Sequence, residues 1–216
     1  MIPLRALLSR RFTPGMTIFL ICANTLLFFY EISLPLYARD RFIEHYALIP
    51  DQLHATTLVT SMFLHGGWLH LIGNMWFLWV FGSHIEDLMG PAKFLIFYLI
   101  SGIASAMVQF AANMGSPVPT IGASGAIAGV MGAFLIVYPR VRVVTLIFIF
   151  VFITTVDIPA AFMLLYWFLL QLISGLGAMT SVTMAQGIAW FAHVGGFLAG
   201  ILLVRLFQGD RRRYSY

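Results

Sequence analysis

Apolar residues in this chain gather into long runs, with charged and helix-breaking residues at their ends. A helix crosses the hydrocarbon core of a bilayer with about 20 apolar residues, the usual range being roughly 17–25. Runs of that order lie at 16–36, 68–85, 92–112, 122–138, 160–177 and 187–207. The second ends at Glu86, Asp87 and the breaker pair Gly90-Pro91. The fourth follows Pro117 and Pro119 and ends at Pro139-Arg140. Two stretches read differently. Residues 37–67 mix Arg39, Asp40, Arg41, Glu44, His45, Asp51 and His54 with aromatics, as an interfacial loop with amphipathic pieces does. Residues 143–156 are apolar but short for a span, and Asp157 and Pro159 follow them.

Charge decides between six and seven spans. With six, Arg5, Arg10, Arg11, Lys93, Arg140, Arg142, Arg205 and Arg211 to Arg213 share one side and only Arg39 and Arg41 the other. If residues 143–156 crossed, the split would be even. The positive-inside rule favours six. The expected fold is therefore all-α: a polytopic membrane bundle of six transmembrane helices with both termini cytoplasmic. One membrane domain covers residues 1–210, a basic cytoplasmic tail follows at 211–216, and residues 143–156 lie shallow or buried at the cytoplasmic face. Composition agrees, since 61% of residues are hydrophobic and 9% charged, against roughly 25% charged in soluble domains. The net charge of +4 then sets topology, and neither nucleic acid nor nucleotide is an expected partner. A single cysteine, Cys22, allows no internal disulfide. The first run follows Arg10-Arg11 without a signal-peptide cleavage pattern and reads as a retained span.

Ionisable and polar residues inside spans are costly and point to function. His70 and Asn74 lie one helical turn apart in the second span, Ser124 opens the fourth, and His193 lies in the sixth. Under the six-span topology these three helices all begin at the outer face. At 1.5 Å per residue the four side chains then fall within roughly 10 Å of one boundary. Ser124 and His193 can supply a nucleophile and its general base. The backbone N–H of Ser124 and the side chains of His70 and Asn74 can supply donors to an oxyanion. No carboxylate is placed to complete a triad, so a Ser-His dyad is expected, with His193 held by packing. Gly125, Gly129 and Gly132 form a side-chain-free stripe, and Gly196 and Gly200 a second one that brings the sixth helix close to the fourth. Taken singly these residues have plainer readings: His70 and Asn74 as interhelical hydrogen-bond glue, His193 as structural, His65 as an orderer of backbone. An H-E-x-x-H metal motif is absent from the sequence, so neither a metal nor another cofactor is expected. An aspartyl intramembrane protease needs two membrane aspartates, and only Asp157 is near a span. A transporter needs polar groups continuing inward, where these spans are apolar.

The residues also match a family pattern. Phe63-Leu-His65-Gly-Gly-Trp-Leu-His70-Leu-Ile-Gly-Asn74, Gly122-Ala-Ser124-Gly125 and Ala192-His193-Val-Gly-Gly196-Phe-Leu-Ala-Gly200 resemble the three signatures of the rhomboid intramembrane serine proteases. Tyr46-Ala-Leu-Ile-Pro50 is similar to a stretch of that family's first outer loop. The resemblance implies Ser124 as nucleophile, His193 as general base, and His70 and Asn74 as the oxyanion hole. It implies cleavage of single-pass transmembrane proteins near their outer ends, without metal, in a prokaryotic cytoplasmic membrane. The fifth helix and the loop at 178–186 would be lateral gate and cap. Ala128 departs from the pattern, because many relatives carry an aromatic there that supports the catalytic histidine. Phe191 or a residue of the fifth helix must then orient His193. The Trp-Arg pair of some relatives' first loop is also missing. A non-catalytic relative that binds and escorts membrane helices is the alternative.

Overall fold

Helix boundaries fall where proline and glycine end the apolar runs. The computed structural model describes residues 1–149, 152–180 and 189–208. Strand β1 (Ile2–Ala6) precedes helix α1 (Gly15–Ser33), which stops at Leu34-Pro35. Helix α2 (Leu36–Tyr46) follows, then 3₁₀ turns and the short α3 (Thr57–Thr60). Residues 37–67 are thus largely short helices and 3₁₀ turns. Helix α4 (Trp68–Phe77), a π-helical turn (Leu78–Gly82) and α5 (Ser83–Met89) run on as one helical rod. Gly90 at φ +79° reverses the chain, and Pro91 opens α6 (Pro91–Ala112). That φ favours glycine, and the fixed φ of proline suits a first helical turn. Next come α7 (Ser124–Val137), α8 (Ala160–Thr180) and α9 (Trp190–Phe207).

Among the described residues, four helices are long and apolar enough to cross a membrane: Gly15–Ser33, Pro91–Ala112, Ala160–Gly177 and Trp190–Phe207. Large apolar side chains face outward from these helices and α4, among them Leu26, Leu69, Phe162, Leu202 and Leu206. With the composition, this makes the chain an integral membrane protein. Helix α7 is different. Its 14 residues span about 21 Å, and its side chains from Gly125 to Phe134 are buried. It is a central post around which α6, α8 and α9 pack. Glycine permits this approach. A Cβ on Gly196 would collide with the carbonyl of Gly125, and one on Gly200 with the carbonyl of Gly129.

The all-α expectation is corrected between α7 and α8. Strands β2 (Arg142–Ile149) and β3 (Phe152–Pro159) form an antiparallel hairpin, and β1 adds to β2 to give the order β1-β2-β3. The physical reason lies in the stretch itself. It is too short to span as a helix, and its Val, Ile and Thr residues are stiff at χ1 and suit a pleated surface. Val143 and Thr145, on one face of β2, are buried, so β2 rests on the bundle, whereas β3 is exposed on both faces from Ile153 to Asp157. The basic tail at 211–216 and most of the expected cap loop lie outside the described residues.

Candidate active site

Ser124 is the first residue of α7, reached through Gly122, whose φ is +121°. A Cβ at Gly122 would stand 2.6 Å from Nε2 of His70 and 3.5 Å from Nδ2 of Asn74. Glycine is therefore required there twice over, by backbone conformation and by the approach of two side chains. The Gly122 N–H donates to the Ser61 carbonyl at 2.8 Å, which fixes the turn.

His193 sits one turn into α9. The start of that helix is tied to α6: Ser105 Oγ donates to the Ala192 carbonyl at 2.7 Å, and the Ala192 N–H donates to Gln109 Oε1 at 3.2 Å. This second bond satisfies one of the unpaired N–H groups at the start of α9. Held in this way, His193 places Nε2 2.8 Å from Ser124 Oγ. Its other nitrogen, Nδ1, lies 2.6 Å from Oε1 of Gln171 on α8. The Trp167 ring lies 5.7 Å from the imidazole, tilted by 40°. Of the two candidates for orienting His193, Phe191 and a residue of the fifth helix, the hydrogen bond comes from the fifth helix: the Gln171 amide oxygen accepts the Nδ1–H, where packing in place of an acid was expected. Gln171 had one sequence signal, as an uncharged amide inside an otherwise apolar span.

The second span supplies His70 and Asn74. Gly66 N–H donates to His70 Nδ1 at 3.4 Å, which leaves the His70 proton on Nε2, the nitrogen facing Gly122. Asn74 Nδ2 lies 3.0 Å from Nε2 of His65 and donates to it. His65 is wholly buried, and burial first, then neighbouring His70, lowers its pKa to about 4. It is neutral at physiological pH and able to accept. Its backbone N–H donates to Glu31 Oε2 at 3.3 Å, and Glu31 Oε1 pairs with Arg39 at 3.2 Å. A buried acid near the end of the first run was legible as a polar residue in an apolar helix, but nothing in the sequence linked it to the site.

A cavity of about 750 Å³ joins these groups, with His70, Asn74, Ser124 and His193 on its walls beside Phe77 and Trp167. All four expected site residues therefore converge on one space. Among the described residues, no cluster of three or more His, Cys, Asp or Glu side chains is arranged to hold a metal. The arrangement suits acyl transfer: a hydroxyl on an imidazole, two side-chain donors opposite, and room for an extended peptide.

Comparison with known proteins gives the same direction. The family model described as the Rhomboid domain matches residues 52–209. Rhomboid protease GluP of Bacillus subtilis is 42% identical over 80 residues, which is 37% of this chain and 15% of that protein. Rhomboid protein 1, mitochondrial, of Saccharomyces cerevisiae is 30% identical over 114 residues, 50% of this chain and 33% of that one. The human presenilin-associated rhomboid-like protein, mitochondrial, is 31% identical over 152 residues, 68% of this chain and 36% of that one. The matches thus cover about a third or less of each relative's length.

Proposed function

The chain belongs to the rhomboid family, and we propose that it is an intramembrane serine endopeptidase that cleaves transmembrane segments of single-pass proteins near their outer ends. The observation that carries this reading is the 2.8 Å approach of Ser124 Oγ to His193 Nε2, with Nδ1 of the same ring on Gln171. Serine becomes an effective nucleophile when an adjacent base takes its proton.

In this mechanism Ser124 Oγ attacks the scissile carbonyl and its proton passes to His193 Nε2. The oxyanion receives hydrogen bonds from the Ser124 N–H, from His70 Nε2–H and from the Asn74 amide. The protonated imidazole then gives its proton to the leaving amine, and the acyl-enzyme remains. A water molecule deprotonated by His193 attacks the ester, and Ser124 leaves with the proton. Neither metal nor nucleotide has a role.

The topology we infer has six spans with both termini cytoplasmic. The rod at 68–89 and the central α7 add two crossings to the four long helices. Because α7 is short, Ser124 at its start lies below the outer surface, and the wide cavity above it admits the water that hydrolysis needs. The host we infer is a prokaryotic cytoplasmic membrane, from the six-span form without extra helices; the relatives include both a bacterial protein and mitochondrial ones.

The test is cleavage of a tagged single-pass substrate by purified protein in detergent, wild type beside Ser124→Ala, with and without EDTA. The expected result is a product that survives EDTA and disappears in the variant. Cleavage by Ser124→Ala would remove the dyad from the mechanism. Substrate capture without cleavage, equal in both proteins, would favour an escort of membrane helices.

A further inference from the structure

We propose that Gln171 is the positioning residue of the dyad: it fixes the His193 tautomer that can accept the Ser124 proton, and it makes that tautomer depend on the seating of α8. This deepens the reading of the site as a serine endopeptidase and rests on it.

A neutral imidazole carries one proton, on either nitrogen. Only with the proton on Nδ1 does Nε2 keep the lone pair that a general base needs. In serine hydrolases of the triad type a carboxylate at Nδ1 enforces this, and loss of the correct tautomer costs about 10⁴ in kcat. Here the group at Nδ1 is the Gln171 oxygen at 2.6 Å. Among the described residues, the aromatic neighbours of the ring cannot replace it. Trp167 and Trp190 flank it at 5.7 and 6.4 Å between centroids, and neither offers an acceptor, since the indole nitrogen only donates. Ala128, beneath the site on α7, has no polar atom in its side chain.

A neutral amide also fits the location. Gln171 is 8% exposed and lies within Leu169-Leu170-Gln171-Leu172-Ile173, in the middle of an apolar helix. A carboxylate in such a place carries a heavy desolvation cost, whereas an amide oxygen supplies the acceptor without a charge. The residue reaches His193 from a different helix, 22 positions earlier in the chain. Helix α8 packs on the bundle through α9 and α7, and Phe162, Leu165, Tyr166, Leu169 and Ile173 face outward. One face alone therefore holds α8 in place, and the amide rides on that face. Displacing α8 from α9 removes the acceptor and frees the ring to take the unreactive tautomer. The base is thus switched on by the docking of a helix at the wall of the cavity.

The experiment uses full-length protein in detergent and reads two rates: cleavage of the tagged substrate, as kcat and KM, and acylation of Ser124 by a fluorophosphonate. Gln171→Leu is expected to lower kcat and the acylation rate by 10- to 1,000-fold, with KM within about twofold. Gln171→Glu, which keeps an oxygen at the same reach but brings a charge that is costly there, is expected to restore part of both. The ¹⁵N shifts of His193 should report Nδ1–H in wild type and a mixture in Gln171→Leu. Wild-type rates in Gln171→Leu, or a loss confined to KM, would overturn the proposal. So would an Nε2–H tautomer in wild type, a measurement that stands even where the leucine variant does not fold. Acylation of Ser124 without peptide cleavage in wild type would defeat the endopeptidase reading while leaving the role of Gln171 open to the acylation arm.

Discussion

Asn74 Nδ2 lies 3.0 Å from Nε2 of His65, so the amide proposed for the oxyanion hole is oriented by a second histidine that is itself buried. The bond exists only while His65 is neutral. Burial, reinforced by His70, lowers its pKa to about 4, against roughly 6.5 in the unfolded chain. Between those values the unfolded state binds the proton and the folded state does not. The contribution of His65 to stability is therefore whole above pH 6.5 and is lost as pH falls toward 4. The full span is worth about 3 kcal/mol. His65→Gln keeps an acceptor for Asn74 and removes the titration. Thermal midpoints of wild type and His65→Gln should converge as pH is lowered from 7 to 4.5, and a constant gap would contradict the assignment.

The support for that histidine reaches the interfacial helix α2. Glu31 is fully buried, accepts the His65 N–H and pairs with Arg39, whose side chain is 25% exposed. Glu31→Ala leaves a buried N–H without its acceptor and a half-buried cation without its partner. Because Arg39 can regain some water, the expected loss is about 2 kcal/mol. Acylation of Ser124 should also slow, since the loop that carries His65 loosens. Glu31→Gln keeps the acceptor and should lose about half as much stability. Equal midpoints for Glu31→Ala and wild type would show that the pair does no structural work.

Much of this was open to a reading of the sequence, for physical reasons that can be named. Ser124, His70, Asn74 and His193 were recoverable because polar groups are scarce in apolar spans, so their shared depth stands out. The approach of α7 and α9 was recoverable because Gly125, Gly129, Gly196 and Gly200 repeat at helical spacing. Gln171 was harder. Its distance from His193 depends on how α8 is rotated, and a helix with apolar residues all round its axis gives no phase. The hairpin formed by β2 and β3 was read as an apolar segment of unspecified form, because hydrophobicity without a clear period does not separate strand from buried helix. Its partner β1 lies more than a hundred residues away, and no local pattern announces that pairing.

Glu86 separates stability from catalysis. Its carboxylate accepts the N–H groups of Met16 and Thr17 and the Thr17 hydroxyl, at 2.8, 2.7 and 2.7 Å. It caps the start of α1, where the helix dipole favours a negative charge. Glu86→Ala should lower stability by about 2–3 kcal/mol. The fraction that remains folded should acylate Ser124 at the wild-type rate, because none of these groups borders the cavity. A slower rate per folded molecule would tie the start of α1 to the site.

The last prediction concerns the contact that brings base and nucleophile together. Gly200 lies seven residues beyond His193, on the stripe of α9 that faces α7, and a Cβ there would collide with the carbonyl of Gly129. The obstacle is backbone, which no rotamer change relieves, so Gly200→Ala must part the two helices. Overpacking of this kind costs about 1–3 kcal/mol, and here the displacement passes along α9 to His193. Both the thermal midpoint and the acylation of Ser124 should fall. Gly195→Ala is the graded control, since its Cβ would stand 2.6 Å from the Cβ of Val108 on α6, so α9 must part from α6 there, but by less than the backbone collision at Gly200 demands. Gly177→Ala is the neutral one, because among the described residues its Cβ meets nothing within 4 Å, and alanine is the better helix former by about 1 kcal/mol. The expected order of midpoints is Gly177→Ala highest, then Gly195→Ala, then Gly200→Ala. If Gly200→Ala matched wild type in both readouts, close contact of α7 with α9 would not be what sets the 2.8 Å distance between His193 and Ser124.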